Sequence, residues 1–133
     1  MRTTTVIDNE FVTLMVHPDT RIIHHQLHQP MTGEMLRTTL LAGVEQMRRH
    51  SAHKWLSDNR MYGVLPPEDI EWSQTTWFPE ARKAGWRYWA LVVPPDVRGR
   101  MNLGEFVFTY AQQGVTVQVF TDLDEAIAWL EAA

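Results

Sequence analysis

Six histidines are the side chains of this sequence best suited to bind a metal or transfer a proton near neutral pH. His24 and His28 share one face of a predicted strand, and His17, His50 and His53 lie near the ends of neighbouring predicted elements. A zinc site needs three or four converging ligands. His24 and His28 are separated by roughly 13 Å along an extended strand, so one ion cannot reach both without a bend. We therefore predict no metal site and expect these five histidines at the surface.

The tripeptide Asp58-Asn59-Arg60 follows a predicted central strand and offers an acceptor, an amide and a cation. Open parallel sheets bind ligands at the carboxyl ends of their strands, which makes this tripeptide a candidate binding site. In the alternative interpretation, Asp58 and Asn59 bond to loop backbone groups, as short polar side chains do in turns, while Arg60 stays solvated. The sequence leaves both interpretations open.

Aromatic side chains are concentrated in a predicted helix over 68–85 and in the loop before it. Trp72, Trp77 and Phe78 lie on the helix, and Tyr62 lies in the loop. Such residues line apolar clefts for hydrophobic ligands or form the recognition surface for a partner protein, and core packing is the alternative for some of them. Trp72 and Trp77 are five residues apart, so they face the same side only if the helix is interrupted.

Several classes of chemistry have no support in the sequence. It contains no nucleophile elbow, no phosphate-binding Gly-Lys-Ser loop, no Rossmann glycine fingerprint and no His-Glu-x-x-His helix, so we predict no catalytic residue and no cofactor. The absence of cysteine excludes disulfides and thiol nucleophiles. A formal charge of −4 with scattered Lys and Arg argues against nucleic acid. Without a signal peptide or an apolar span, we expect a cytoplasmic protein that is not in a membrane.

The elements that position these residues alternate along the chain. A length of 133 residues favours one domain over 1–133. Apolar periodicity predicts a hairpin, then three further strands separated and followed by helices, with strands at 11–16, 21–28, 54–58, 86–93 and 115–120. This order predicts an α/β fold with a mixed, mostly parallel sheet that begins with an antiparallel hairpin, and about four helices.

Details of three elements carry further expectations. In the second strand, the face of Ile23, His25 and Leu27 should be the buried one. Thr32 should cap the first helix. The helix over 68–85 should be interrupted near Pro79, because proline lacks the backbone donor that a helix interior requires.

The order of elements and several short motifs resemble the small bacterial STAS-like (SpoIIAA-like) proteins over 11–130. The motifs are Asp58-Asn59, Trp77-Phe78-Pro79, Lys83-Ala84-Gly85, Tyr88-Trp89-Ala90 and Phe120-Thr121-Asp122. The resemblance implies a STAS-like single domain that acts as a non-enzymatic interaction or regulatory module. Some STAS domains are switched by phosphorylation of a Ser that opens a helix. This chain has Asp58-Asn59-Arg60 at that place, so we do not expect the switch.

The sequence supports three functional hypotheses. The first is a STAS-like protein-interaction module with an unknown protein partner, self-associating as a homodimer, whose recognition surface is the aromatic helix and its preceding loop. The second is a binder of a small apolar or amphipathic ligand in a cleft between the 68–85 helix and the sheet, with Asn59 or Arg60 orienting a polar head. The third is a hydrolase or metal enzyme that uses the histidines and Asp58. An unfilled internal pocket would favour the second.

Overall fold

A six-stranded mixed sheet forms the frame of the computed structural model, which describes residues 2–133. The strands lie in the sheet in chain order, and their bounds are β1 (Thr4–Asp8), β2 (Val12–His17), β3 (Ile22–Leu27), β4 (Lys54–Asp58), β5 (Tyr88–Val92) and β6 (Thr116–Phe120). The β1–β2 and β2–β3 pairs are antiparallel, and the three remaining pairs are parallel. The predicted α/β class, with its mixed sheet and antiparallel start, is confirmed.

The helices cover both faces of this sheet unequally. Their bounds are α1 (Gly33–His50), α2 (Pro67–Trp72), a π-helical segment (Ser73–Trp77), α3 (Phe78–Lys83), α4 (Pro95–Arg100), α5 (Leu103–Ala111) and α6 (Leu123–Ala132). Helices α1 to α5 pack on the face that carries Leu14, Trp55 and Leu91, here called the α1 face. Helix α6 packs on the opposite face, here called the α6 face, over Leu56 and Val92.

Strand β3 lies in the middle of the sheet and is buried on both faces. Ile23, His25 and Leu27 are buried on the α1 face, as predicted, but Ile22 and His24 are also buried. The expectation of one exposed face was wrong because α6 covers the second face. A strand covered on both sides does not need the polar and apolar alternation that identifies a half-exposed strand.

The segment Pro67–Lys83 is one helical path with a single wide turn. Here α2, the π-helical segment and α3 follow one another without a gap and count as one helical unit. The described chain therefore has five helical units, of which α4 is the shortest. The interruption lies at Ser73–Trp77, before Pro79, and Pro79 occupies the first turn of α3. Because a π turn contains an extra residue, it rotates the next part of the helix, and both Trp72 and Trp77 pack against the same core cluster.

The start of α1 is capped by a residue from another helix. Thr32 occupies the N-cap position, but its side chain makes no capping hydrogen bond. Instead the backbone N–H of Gly33 donates to Oδ2 of Asp69 at 2.9 Å. Asp69 is buried, and Arg37 of α1 also approaches its carboxylate at 3.5 Å. The prediction that the Thr32 side chain caps α1 was therefore wrong, because Asp69 makes the capping bond instead. This bond connects α2 to the start of α1.

Strand β1 was not predicted from the sequence. Thr4 and Thr5 are exposed, and only Val6 and Ile7 are partly buried, so the segment has no alternation of apolar and polar residues. A β-bulge between Thr5 and Ile7 shifts its register against β2. Edge strands of this kind carry a weak sequence signal because they bury little surface. Within residues 2–133, no helix is both long and apolar enough to cross a membrane.

Candidate functional site

A cavity of about 160 Å³ lies on the α1 face, between the carboxyl ends of β3 and β4 and the helices α1 and the π-helical segment. Its wall is mostly apolar and is formed by His25, Leu27, Met31, Leu36, Leu40, Ser57, Asn59, Tyr62, Gly63, Leu65, Ser73, Trp77 and Trp89. Apolar cavities of about 150 Å³ hold a molecule the size of benzene. This space, here called the central cavity, lies between the predicted aromatic helix and the sheet.

A chain of three hydrogen-bonded side chains runs from Trp55 in the core to His25 and Asn59 in the cavity wall. Trp55 Nε1 lies 3.0 Å from His25 Nδ1, and His25 Nε2 lies 2.7 Å from Asn59 Oδ1. The indole N–H only donates hydrogen bonds, so His25 Nδ1 must accept. His25 is therefore neutral with its proton on Nε2, and it donates to the amide oxygen of Asn59. Burial lowers the pKa of His25, although the hydrogen bond to Asn59 and the nearby Asp58 raise it.

A second polar pair lies beside this chain. Trp89 Nε1 donates to Oγ of Ser57 at 2.9 Å. Ser57 pairs with His25 in the β3–β4 register, and Asn59 comes two residues later on the same face of the chain. The strand end thus presents Ser57 and Asn59 side by side to the cavity. The backbone N–H of Asn59 donates to the carbonyl oxygen of Val92 at 2.8 Å, which holds the loop start against β5.

Asp58 and Arg60 lie away from the central cavity. The two-residue period of the strand places Asp58 on the α6 face, where it is 2% exposed. Arg60 Nε donates to its Oδ1 at 2.8 Å, and Arg60 Nη2 donates to its Oδ2 at 2.7 Å. This bidentate ion pair raises the pKa of Arg60 further. Asp58 also accepts the backbone N–H of Arg60 at 3.4 Å, as the alternative interpretation expects, and the ion pair is an addition to it. The Arg60 side chain stays 42% exposed and does not line the cavity.

The predicted site residues separate into three groups. Asn59, Tyr62 and Trp77 line the central cavity. Phe78 and Trp77 line a neighbouring cleft of about 320 Å³ that shares Ser73 and Trp89 with the cavity. Trp72 lines neither; it packs against the core and lies under the guanidinium of Arg37, 5.3 Å from the ring centre.

Sequence reasoning missed His25 and Ser57 as site residues. Both are buried polar residues on strands, which is uncommon enough to indicate a specific hydrogen-bond network. Once β3 and β4 are paired, His25 and Ser57 lie on the same face of the sheet as Asn59. The sequence does not show which residues of the two strands pair. The parity argument had already placed His25 on the buried face of β3.

Two further histidines pack together beneath α6. The rings of His17 and His24 stack with centroids 5.2 Å apart, and His17 Nε2 lies 3.0 Å from His24 Nδ1. His17 Nδ1 and His24 Nε2 are buried without hydrogen-bond partners within residues 2–133. The expectation of surface histidines was wrong for His17 and His24, which are buried because helices cover both faces of the sheet here, whereas His25 is buried as predicted.

The histidine pair has no third ligand. In the part of the chain that the structure describes, no group of three or more His, Cys, Asp or Glu is close enough to hold a metal ion. The pair lies on the α6 face and lines neither the central cavity nor the clefts that adjoin it. The pair thus consists of two buried, neutral polar side chains in the interior, and neither faces the central cavity.

A third opening extends from the cavity along the strand ends. A cleft of about 270 Å³ shares Asn59 and Tyr62 with the central cavity and continues over Leu91, Val93 and Met101. The three spaces share wall residues and follow one another from α5, past the π-helical segment, to the loop after β4. The loop residues Met61 and Val64 beside it are exposed, at 55% and 92% of their surface.

Comparison with known proteins adds no family to this description. No family model, curated protein or solved structure matches the chain. The STAS-like resemblance therefore remains a prediction.

Proposed function

We propose that this protein binds a small apolar or amphipathic molecule, about the size of one aromatic ring, in the central cavity. The observation that carries the proposal is the apolar space of about 160 Å³ with polar groups at one end. Ligand sites are concave and mostly apolar, with a few polar groups that fix orientation. The proposal agrees with the second hypothesis drawn from the sequence, with Asn59 rather than Arg60 as the orienting side chain.

The energetics of such binding rest on the apolar wall. Leu27, Met31, Leu36 and Leu40 supply aliphatic surface on one side, and Trp77 supplies an aromatic face. Transfer of apolar surface out of water contributes about 25 cal/mol for each Å² that becomes buried. When a ring moves from water into this cavity, apolar surface of both the ring and the cavity wall is removed from contact with water. Association entropy opposes this gain, so a molecule of this size should bind in the micromolar to millimolar range.

The loop after β4 forms one side of the cavity. Tyr62, Gly63 and Leu65 of this loop form part of the wall, and Tyr62 is partly exposed. Gly63 packs closely on Pro30, where an added Cβ would meet the proline ring at 2.9 Å. The loop tip is otherwise largely exposed, and the cavity beside it is partly open to solvent, so a ligand can enter without a change in the sheet.

A cavity-filling variant tests the proposal. Leu36 lines the central cavity from α1, whereas Leu41 lies on the exposed side of the same helix. We expect one-ring probes to raise the melting temperature of the wild type in a saturable way, as any ligand of the native state must. Leu36→Phe should abolish the shift by occupying the space, and Leu41→Phe should retain it. Circular dichroism of both variants checks that they fold.

Two results would contradict the proposal. The first is a wild type whose melting temperature does not respond to any one-ring probe. The second is a folded Leu36→Phe variant that binds the probes as tightly as Leu41→Phe does, because binding would then lie outside the cavity.

We propose protein interaction as a second candidate function, as the STAS-like resemblance implies. The observation that favours it is the exposed apolar loop that contains Met61 and Val64. Large contiguous exposed apolar patches mark interaction sites, and this loop brings several exposed apolar residues close in sequence. In this proposal the loop, rather than the buried Trp77, forms the recognition surface, and the partner is a second copy of the chain.

A further inference from the structure

We infer that the ligand of the central cavity carries an uncharged hydrogen-bond acceptor, such as a ketone, ester or amide carbonyl, and binds with that group against Ser57 and Asn59. This inference rests on the proposed ligand-binding function and specifies its chemical class. Three features of the wall support it: the direction in which the Asn59 amide is held, the hydrogen that Ser57 has left to donate, and the charges that the wall lacks.

The orientation of the Asn59 amide is determined by the residues behind it. Trp55 donates to His25 Nδ1, so His25 Nε2 carries the proton and must face an acceptor. The oxygen of Asn59 therefore points to His25 at 2.7 Å, and the amide cannot be flipped. Its Nδ2 makes no hydrogen bond within residues 2–133 and is not among the buried atoms without a partner, so it remains accessible. Asn59 consequently offers donors to the cavity.

Ser57 offers a donor for a similar reason. Its Oγ already accepts a hydrogen bond from Trp89 Nε1 at 2.9 Å. The hydroxyl hydrogen of Ser57 has no acceptor in the described chain, and the side chain faces the cavity. By contrast, the hydroxyl of Ser73 on the opposite wall donates to the carbonyl oxygen of Ile70 at 2.8 Å. The strand end of the cavity thus presents two donors side by side.

The wall is also free of charge. Its residues include no Asp, Glu, Lys or Arg, and His25 is held neutral by Trp55. Arg60, the nearest candidate cation in the sequence, is paired with Asp58 on the other face. A carboxylate or an ammonium group would lose its hydration here without an opposite charge. Two donors without a countercharge favour a neutral acceptor over an anion.

Three probes of similar shape test the inference. Acetophenone carries a neutral acceptor, isopropylbenzene carries none, and benzoate carries a negative charge. Affinities measured by NMR titration should place acetophenone ahead of benzoate. In Ser57→Ala, acetophenone should lose about threefold to tenfold in affinity, which corresponds to one hydrogen bond, while isopropylbenzene changes by less than about twofold. Comparing the two probes in one variant cancels any effect of the lost Trp89 contact.

A substitution at Asn59 gives an independent readout. Asn59→Asp keeps an acceptor for His25 but replaces the donor with a negative oxygen, so acetophenone binding should fall by at least about tenfold. Asn102→Asp, an equivalent change at the exposed N-cap of α5, should leave binding unchanged. If no probe binds the wild type, the proposed function itself fails. If isopropylbenzene binds and both substitutions affect it as much as acetophenone, or if benzoate binds most tightly, only the inference about the acceptor fails.

Discussion

At the scale of single residues, three buried histidines give the protein a pH dependence that their surroundings determine. Burial lowers the pKa of His24 from 6.5 to about 3, and the neighbouring His17 and His25 lower it as well. Burial also lowers the pKa of His17, against the opposing effect of Glu131. Each ring is therefore neutral in the folded protein at neutral pH.

The sign of the stability change is set by linkage between protonation and folding. In the unfolded chain these histidines take up protons near pH 6.5, whereas in the folded chain they stay neutral until a lower pH is reached. Stability is therefore complete above about pH 6.5 and falls below it, by up to about 1.4 kcal/mol per pH unit for each such histidine until the pH reaches its lowered pKa, which is about 3 for His24.

Urea unfolding at pH 7.5 and pH 5 measures this loss. We expect the wild type to be less stable at pH 5, and His24→Gln to reduce the difference between the two pH values by about 1 to 2 kcal/mol. His28 is exposed, and His28→Gln should leave the difference unchanged. A wild type that is equally stable at both pH values would contradict the assignment of neutral buried histidines.

At the scale of elements, α1 and β4 approach each other closely in the core. Gly43 lies in the middle of α1 directly over the ring of Trp55, and an added Cβ would overlap that ring. Trp55 is fully buried and packs edge-on against Trp77. The absence of a side chain at Gly43 thus permits the helix to approach the sheet and leaves Trp55 in position to donate to His25.

Gly43→Ala should accordingly destabilise the protein. Alanine normally stabilises a helix interior relative to glycine by about 1 kcal/mol. Here the overlap with Trp55 should reverse the sign and cost about 1 to 3 kcal/mol. Gly104→Ala is the matched control, because its Cβ would meet only Asn102, at 3.9 Å. Chemical denaturation should show opposite signs for the two variants; a stabilised Gly43→Ala would contradict the described contact.

Most elements were predictable from the sequence, and the exceptions have physical reasons. Strand β4 was predicted with its observed bounds, because Lys54–Asp58 is flanked by clear turn signals. Helix α6 begins directly after its N-cap Asp122, whose side chain accepts from the N–H of Glu125. The π-helical segment was not predictable, because proline is a visible interruption whereas an extra residue in a turn has no composition signal.

The candidate site was predicted only in part, for a reason that applies to sites in general. Asn59, Tyr62 and Trp77 were identified because a strand end and an aromatic helix are visible in the sequence. His25 and Ser57 join them through strand pairing, which depends on the whole sheet. Asp58 and Arg60 are the sequence neighbours of Asn59 but lie on the opposite face. The two-residue period of a strand is sufficient to predict this difference.

At the scale of the whole molecule, the exposed loop gives a testable expectation about assembly. If a second copy of the chain covers Val64, light scattering should show a mass that rises toward that of two chains with concentration. Val64→Glu should hold the protein at one chain, because a buried unpaired carboxylate opposes association. Val107→Glu, at another exposed valine on α5, should not. A wild type that stays at one chain throughout would contradict self-association.

The indole signals of the six tryptophans report directly on ligand binding in the central cavity. Trp77 and Trp89 line the central cavity, whereas Trp129 packs on the α6 face against Phe120. The measurement is an ¹H–¹⁵N NMR titration of the wild type with acetophenone. We predict saturable shifts of the Trp77 and Trp89 indole signals and a stationary Trp129 signal. Indole signals that do not move, or that move equally at Trp129, would contradict a ligand site in the central cavity.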